Sequence, residues 1–295
     1  MTLPTAHGIL RDPNRAHPVL DIELWKRKFP RTPDTNWSAS ACIDSPKQLA
    51  LIEQHHASMK PGQHTTKTDV FVWKSGFCGS LSPLTQIGGK PWMHPYTPWP
   101  TDPEGRPLQF IAQINFTDSK DLIPFDLPGD ILLLFARWSD GYIDWDTDAM
   151  HIAWSNNDAI DTDTQREYPP GSTLAFCHEG VIHRTTQSWN EGEPDETDRV
   201  GQCDMQATLI GTHANIPQGW PFEDEDERTL ICMFSSYAFS GEWPLCDIER
   251  APAPLRSDGT ESSFSDYSAL STNYADAGAV WIYRDKDGNF KHEMA

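Results

Sequence analysis

IGGKPWMHPYTPWPTDPEGRPLQFIAQINF, residues 87–116, is the stretch on which the reading of the fold turns. Gly88-Gly89 precedes Pro91 and suits a backbone bend that a side chain would obstruct. Pro91, Pro95, Pro98 and Pro100 fix φ and remove backbone donors, so this loop is stiff and not helical. After Arg106 the chain turns apolar. Phe110, Ala112, Ile114 and Phe116 fall at every second position, the period of a strand.

Working outward, the same signal recurs. Asp69–Trp73, Ile131–Trp138 after the turn LPGD at 127–130, His151–Trp154, Leu174–Phe176 and Leu230–Phe234 read as strands. Ala279–Tyr283 and Asn289–Lys291 flank Asp285-Lys286-Asp287-Gly288, where Asp-Gly marks a hairpin turn. Leu209–Thr212 reads as a turn, and residues 187–204 as a polar, acidic loop. One helix is expected at 45–59, with Ser45 as cap, Pro46 in the first turn, and Leu49, Ile52 and His56 at helical spacing. Residues 1–45 are irregular by pattern.

The opening stretch has an echo. Ile87-Gly88, Trp99-Pro100 and the apolar run from Leu108 recur in order as Ile210-Gly211, Trp220-Pro221 and the run from Leu230. The expected fold class is therefore α+β and β-rich: internally duplicated antiparallel sheet units with few helices. Residues 1–79 read as an N-terminal extension. Residues 80–295 read as one domain of two related halves, about 80–205 and 206–295.

GGKPWMHPYTPWP, PLQFIAQINF and LPGDILLLFA together resemble the YwqG-like family, a bacterial domain of unknown function. ADAGAVWIYRDKDGNF at 275–290 is similar to that family's closing hairpin. The resemblance implies a two-part β-rich fold and no known catalytic residues. Because such genes are often found near bacterial polymorphic toxins, it also implies an immunity or antitoxin role by association. The first ~80 residues lie outside the pattern.

Charge narrows the partners. The 43 acids against 23 bases give a formal charge of −20, which repels nucleic acid and anionic lipid. Neither is expected as a partner. No apolar run is long enough to span a membrane, and the N-terminus lacks a signal-peptide pattern, so a cytoplasmic location is expected. Six scattered cysteines without a CxxC read as reduced, mostly buried thiols.

No catalytic or metal motif stands out. Cys177-His178 with His183 has zinc-type residues at a spacing that is not a standard ligand pair. Asp144, Asp146 and Asp148 alternate as in a calcium loop, but Ala149 and Ser155 occupy the places of the required Gly and Glu. No cofactor, metal or catalytic residue is therefore expected. The candidate partner-binding residues are the rigid aromatics Trp92, Tyr96 and Trp99, which alternatively serve packing between sheets. With them stand Glu191, Glu193, Asp195, Glu196 and the run Glu223, Asp224, Glu225, Asp226 and Glu227, with Asp140–Asp148 beside them. The leading expectation is a non-catalytic, acidic immunity-type protein that occludes a basic toxin domain. The alternative is a small-ligand-binding protein or hydrolase using a cleft between the halves.

Overall fold

The structure, a computed structural model, describes residues 9–10, 14–16, 19–20, 64–76, 83–139, 142–143, 150–159, 168–174, 177–189, 208–212, 228–235 and 279–294. Its strands in chain order are β1 (Ile9–Leu10), β2 (Val19–Leu20), β3 (His64–Gly76), β4 (Gln86–Gly88) and β5 (Gln109–Asn115). Next come β6 (Ile131–Ala136), β7 (Trp138–Ser139), β8 (Tyr142–Ile143), β9 (Met150–Ser155) and β10 (Cys177–Trp189). The last are β11 (Leu209–Ile210), β12 (Thr229–Ser235), β13 (Ala279–Arg284) and β14 (Phe290–Met294). The protein is strand-rich. Among the described residues its only helical element is a 3-10 turn, Lys120–Leu122. The helix expected at 45–59 lies outside the described residues.

Ten strands form one antiparallel path, β14-β13-β12-β11-β3-β10-β4-β5-β6-β9. Its spine is the pairing of β3 with β10, in register from Gly76 opposite Cys177 to His64 opposite Trp189. β3 lies within residues 1–79, so that segment supplies a central strand. Two expectations need correction. Leu209–Ile210 is a strand paired with β3 and β12, not a turn. The loop expected from residue 187 begins later, because Cys177–Trp189 is a continuous strand. Its polar composition hides it, and full-length pairing with β3 is what holds it extended.

The two sides of the spine match in detail. β4 pairs with β10 and β5 on one side; β11 pairs with β3 and β12 on the other. β5 slips register between Phe110 and Ala112, and β12 slips between Leu230 and Cys232; the β5 slip turns Phe110 to the face opposite Ala112, Ile114 and Phe116, which the even spacing had put together on one face. Ile111 and Ile231, the residues between, are both fully buried. Thr85 Oγ1 accepts a hydrogen bond from Asn115 N at 2.9 Å, and Thr208 Oγ1 accepts one from Ser235 N at 3.1 Å. Gly180 N on β10 donates to Thr85 O at 2.8 Å, while Phe71 N on β3 donates to Thr208 O at 2.9 Å.

Both faces of β6 are buried, which is why ILLLFA is apolar throughout rather than alternating. Leu132, Leu134 and Ala136 join a core that also holds Phe71, Ile87, Ile182, Phe234, Val280 and Ile282, from both sides of the spine. Ile131, Leu133 and Phe135 form a second cluster with Phe110, Leu108 and Met93 on the opposite face. Burying each of the larger side chains among these stabilises by roughly 1.5–3 kcal/mol. The sheet coils until its two last strands meet through side chains: Trp154 on β9 and Phe290 on β14 have ring centroids 5.2 Å apart.

Cys177 is disulfide-bonded, which corrects the expectation of six reduced thiols at that residue. Cys232 is free and buried, and burial pushes its thiol far up, so it is inert.

Candidate functional site

The loop from Gly89 to Leu108 crosses the second face of the sheet. Gly88 and Gly89, at φ 72° and 71°, make the bend that launches it, a conformation that suits glycine. The loop is then pinned. Trp92 N donates to Gln113 Oε1 at 2.8 Å, and its indole Nε1 to the carbonyls of Asn156 and Asn157, both at 3.2 Å. Trp99 Nε1 donates to Leu108 O at 2.7 Å, and its ring meets Phe135 edge-on at 5.2 Å and Tyr168 at 5.8 Å. Trp92 and Trp99 are thus packed against the sheet, half-buried. Tyr96 is not: it stands 81% exposed, with the His94 ring 5.3 Å away.

A second loop, residues 117–130, closes one end of the sheet. Its root is held by Arg184 on β10. Arg184 Nε and Nη2 donate to Asp69 Oδ1 and Oδ2 at 2.9 and 2.8 Å. The same guanidinium donates from Nη1 and Nη2 to Asp121 Oδ2 and Oδ1 at 2.5 and 2.9 Å. Asp69 is fully buried and also accepts from Ser119 Oγ at 2.7 Å. Hydrogen bonds from Arg184 hold the Asp121 carboxyl below its ordinary range, and the two carboxylates raise Arg184 in turn. Across the loop Lys120 Nζ lies 2.8 Å from Asp130 Oδ1, which lowers Asp130 likewise. Phe125 reaches to within 6.2 Å of Phe290, and the Arg284 guanidinium sits over the Phe125 ring at 4.6 Å.

This loop encloses a cavity of about 530 Å³, lined by residues 120 and 123–130 together with Asn156. Ile123, Phe125 and Leu127 give it an apolar wall, and Lys120, Asp126, Asp130 and Asn156 a polar rim. Trp92 ties the aromatic loop to the rim at Asn156. Asp130 on the rim and Asp121 at the root of the loop are held ionised by Lys120 and Arg184, which suits electrostatic attraction better than proton transfer.

A different ionic group lies on β13 and β14. Tyr283 OH donates to Glu293 Oε1 at 3.0 Å, and Arg228 Nη1 approaches both oxygens at 3.3 and 3.2 Å. Burial pushes Glu293 up and Tyr283 up to about 12. Asp102 forms a third group at the far end of the sheet, nearly buried. Burial raises its carboxyl, but hydrogen bonds from Arg106 outweigh this and lower it. Arg137 adds a contact at 3.2 Å.

Of the residues singled out in the sequence, Trp92, Tyr96 and Trp99 come together on one loop. Glu191, Glu193, Asp195, Glu196 and Glu223–Glu227 lie outside the described residues, as do Asp140, Asp144, Asp146 and Asp148. The residues that flank those acidic segments are placed. Of these, Trp189, Thr212 and Arg228 stand toward the sheet end marked by His64, Asn115, Ser155 and Arg284, the end that loop 117–130 closes, whereas Thr208 and Met150 lie toward the other end. Cys177 and His183 share one face of β10 and His178 the other, so the three do not converge. Sequence reading missed Arg184, Asp69 and Asp121, which only the β3–β10 register brings together. Among the described residues no group of three or more His, Cys, Asp or Glu is arranged to hold a metal. No described helix is long and apolar enough to cross a membrane.

A coiled antiparallel sheet with a stiff aromatic loop on one face and an acidic loop over one end defines a strand-rich module with an open, charged rim. Residues 85–240, just over half of the chain, match the family described as a domain of unknown function, DUF1963, and the chain belongs to that family. No curated protein matches the chain at a significant level.

Proposed function

We propose that this protein is a non-catalytic, acidic binding module of the immunity or antitoxin kind, neutralising a basic toxin domain by occluding its site. One observation carries the reading. The chain carries 43 acidic against 23 basic side chains, a formal charge of −20. Glu191–Glu196 and Glu223–Glu227 are dense in acids, and of the described residues that border their segments Trp189, Thr212 and Arg228 stand toward one sheet end and Thr208 toward the other. An acidic surplus of this size steers a basic partner and repels nucleic acid and anionic membranes.

Co-expression with the product of the neighbouring gene tests this. The expected result is a complex at low salt that weakens as salt rises, and weakens again when Glu223–Glu227 are replaced by glutamine and asparagine. Absence of any complex at low salt overturns the reading. The alternative, a small-ligand-binding protein or hydrolase, has the roughly 530 Å³ cavity under loop 117–130 as its nearest support. A cytoplasmic location belongs to the main reading. A disulfide at Cys177 is at odds with a reducing compartment, and thiol alkylation in fresh extract decides between them.

We also infer a YwqG-like branch within the family and an internally duplicated core. The quoted motifs support the first. The paired bulges and the matching Thr85 and Thr208 hydrogen bonds support the second.

A further inference from the structure

We propose that Arg228, Tyr283 and Glu293 form an acid-sensitive latch: ionised Glu293 holds Arg228 against β13 and β14, and protonation of Glu293 loosens that hold.

The matching register on the two sides of the spine singles this cluster out. On one side Phe110 pairs with Phe135 and Leu133 with Ala153. On the other, Leu230 pairs with Tyr283 and Trp281 with Glu293. Counted through these pairs, Arg228, Tyr283, Glu293 and Trp281 stand where the first side has Leu108, Phe135, Ala153 and Leu133. Those four pack together as part of one apolar cluster. The same place in the scaffold therefore holds without charge. The second side instead carries a half-buried, hydrogen-bonded ionic group, and Trp281 Nε1 beside it is buried with no hydrogen-bond partner. Keeping ionic and unpaired polar groups where an apolar set suffices costs stability, which points to a role other than packing.

The contacts make Glu293 the moving part. Its Oε1 accepts from Tyr283 OH at 3.0 Å and from Arg228 Nη1 at 3.2 Å, and the Arg228 guanidinium lies over the Tyr283 ring at 5.0 Å. The Arg228 and Glu293 side chains are 24% and 29% exposed, so a proton reaches the carboxyl from solvent. The other charged groups nearby among the described residues are Lys291 and its ion-pair partner Asp285, 2.9 Å apart. Leu230 and Met233, from β12, are uncharged. Burial pushes the Glu293 carboxyl above its ordinary range, against the pull of Tyr283, Arg228 and Lys291. Protonation then removes the ion pair and leaves Arg228 the ring face and the phenol oxygen. Arg228 directly follows Glu223–Glu227, so the latch fixes the point at which that acidic run joins the sheet.

NMR of the full chain tests this. The Glu293 carboxyl carbon is expected to titrate above the ordinary value of about 4.3, and Arg228→Leu, which removes the cation, to move that midpoint further up. Relaxation of Arg228 Nε is expected to show a loss of side-chain order as pH falls through the Glu293 midpoint, and in Glu293→Gln the low order at every pH. The combined replacement Arg228→Leu, Tyr283→Phe and Glu293→Ala, which installs the residues of the first side, is expected to melt no lower than the wild type at neutral pH. A Glu293 midpoint at or below the ordinary value, a midpoint that Arg228→Leu leaves in place, or an Arg228 equally ordered on both sides of it overturns the latch. A combined variant that melts well below the wild type shows that the cluster serves packing and overturns it too. None of these outcomes involves a partner, so the binding reading above stands or falls separately.

Discussion

Thr85 and Thr208 make the same two bonds on opposite sides of the β3–β10 spine. Each accepts a backbone N–H from the neighbouring long strand on its hydroxyl, at 2.9 and 3.1 Å, and each offers its carbonyl to a spine strand, at 2.8 and 2.9 Å. Both are fully buried. Replacing either by valine keeps the shape and leaves a buried N–H without its acceptor, a cost of about 1–3 kcal/mol. Thr85→Val and Thr208→Val are therefore expected to destabilise by similar amounts, and additively in the double variant, since the sites are independent. Urea unfolding checks this. A neutral result at one position alone would break the correspondence between the two sides.

Arg184 is the second place to probe. It is the only cation on the fully buried Asp69 carboxylate among the described residues. Arg184→Met leaves that charge buried without its partner, and a loss of about 3–5 kcal/mol is expected in chemical denaturation. Asp121→Asn removes only the exposed arm of the same guanidinium and is expected to cost below about 1 kcal/mol. Equal effects from the two substitutions would show that Asp69 does not depend on Arg184.

Gly129 has no room for a side chain. A Cβ there would stand 2.5 Å from the carbonyl oxygen of Ser155 at the end of β9. The obstacle is backbone, so loop 117–130 must shift. Gly129→Ala is expected to destabilise by about 1–3 kcal/mol and to lower protection from hydrogen exchange in that loop. Gly105, with nothing within 4 Å of an added Cβ, meets no such clash.

Asp285 sets a pH dependence. Its carboxylate accepts from Lys291 Nζ at 2.9 Å and Asn289 N at 2.8 Å, and the Lys291 bond foremost lowers its pKa to about 2. A carboxyl depressed in the folded state stabilises above its unfolded value of about 3.9. That contribution fades as pH falls toward about 2. Asp285→Asn is expected to flatten the loss of thermal stability over this window and to leave the slope near neutral pH unchanged.

Several strands were legible because burial on two faces leaves its mark in composition. Ile131–Ala136 and Leu230–Phe234 are apolar runs, and the Asp-Gly turn announced β13 and β14. β10 was hidden, since HRTTQSW carries no apolar alternation and is a strand only through its partner β3. The site divided in the same way. Trp92, Tyr96 and Trp99 were visible as a stiff aromatic group, but no local rule distinguishes the two that reach the sheet from the one that faces solvent. Asp69 and Arg184 lie 115 residues apart, beyond any motif. The acidic runs were plain in composition, and the residues bearing them lie outside the described structure.

The crossed pairing of the spine also dictates an order of events at the ribosome. β4 and β5 follow β3 closely in the chain, yet β3 pairs with β10 and β11, and β4 reaches the sheet's centre only alongside β10. Until Trp189 has emerged, both edges of β3 lack their partners and the first half has no spine to build on. A nascent chain stopped before that point, nearly two-thirds of the way along, leaves both edges of β3 unpaired and is expected to be more prone to aggregation than the finished chain.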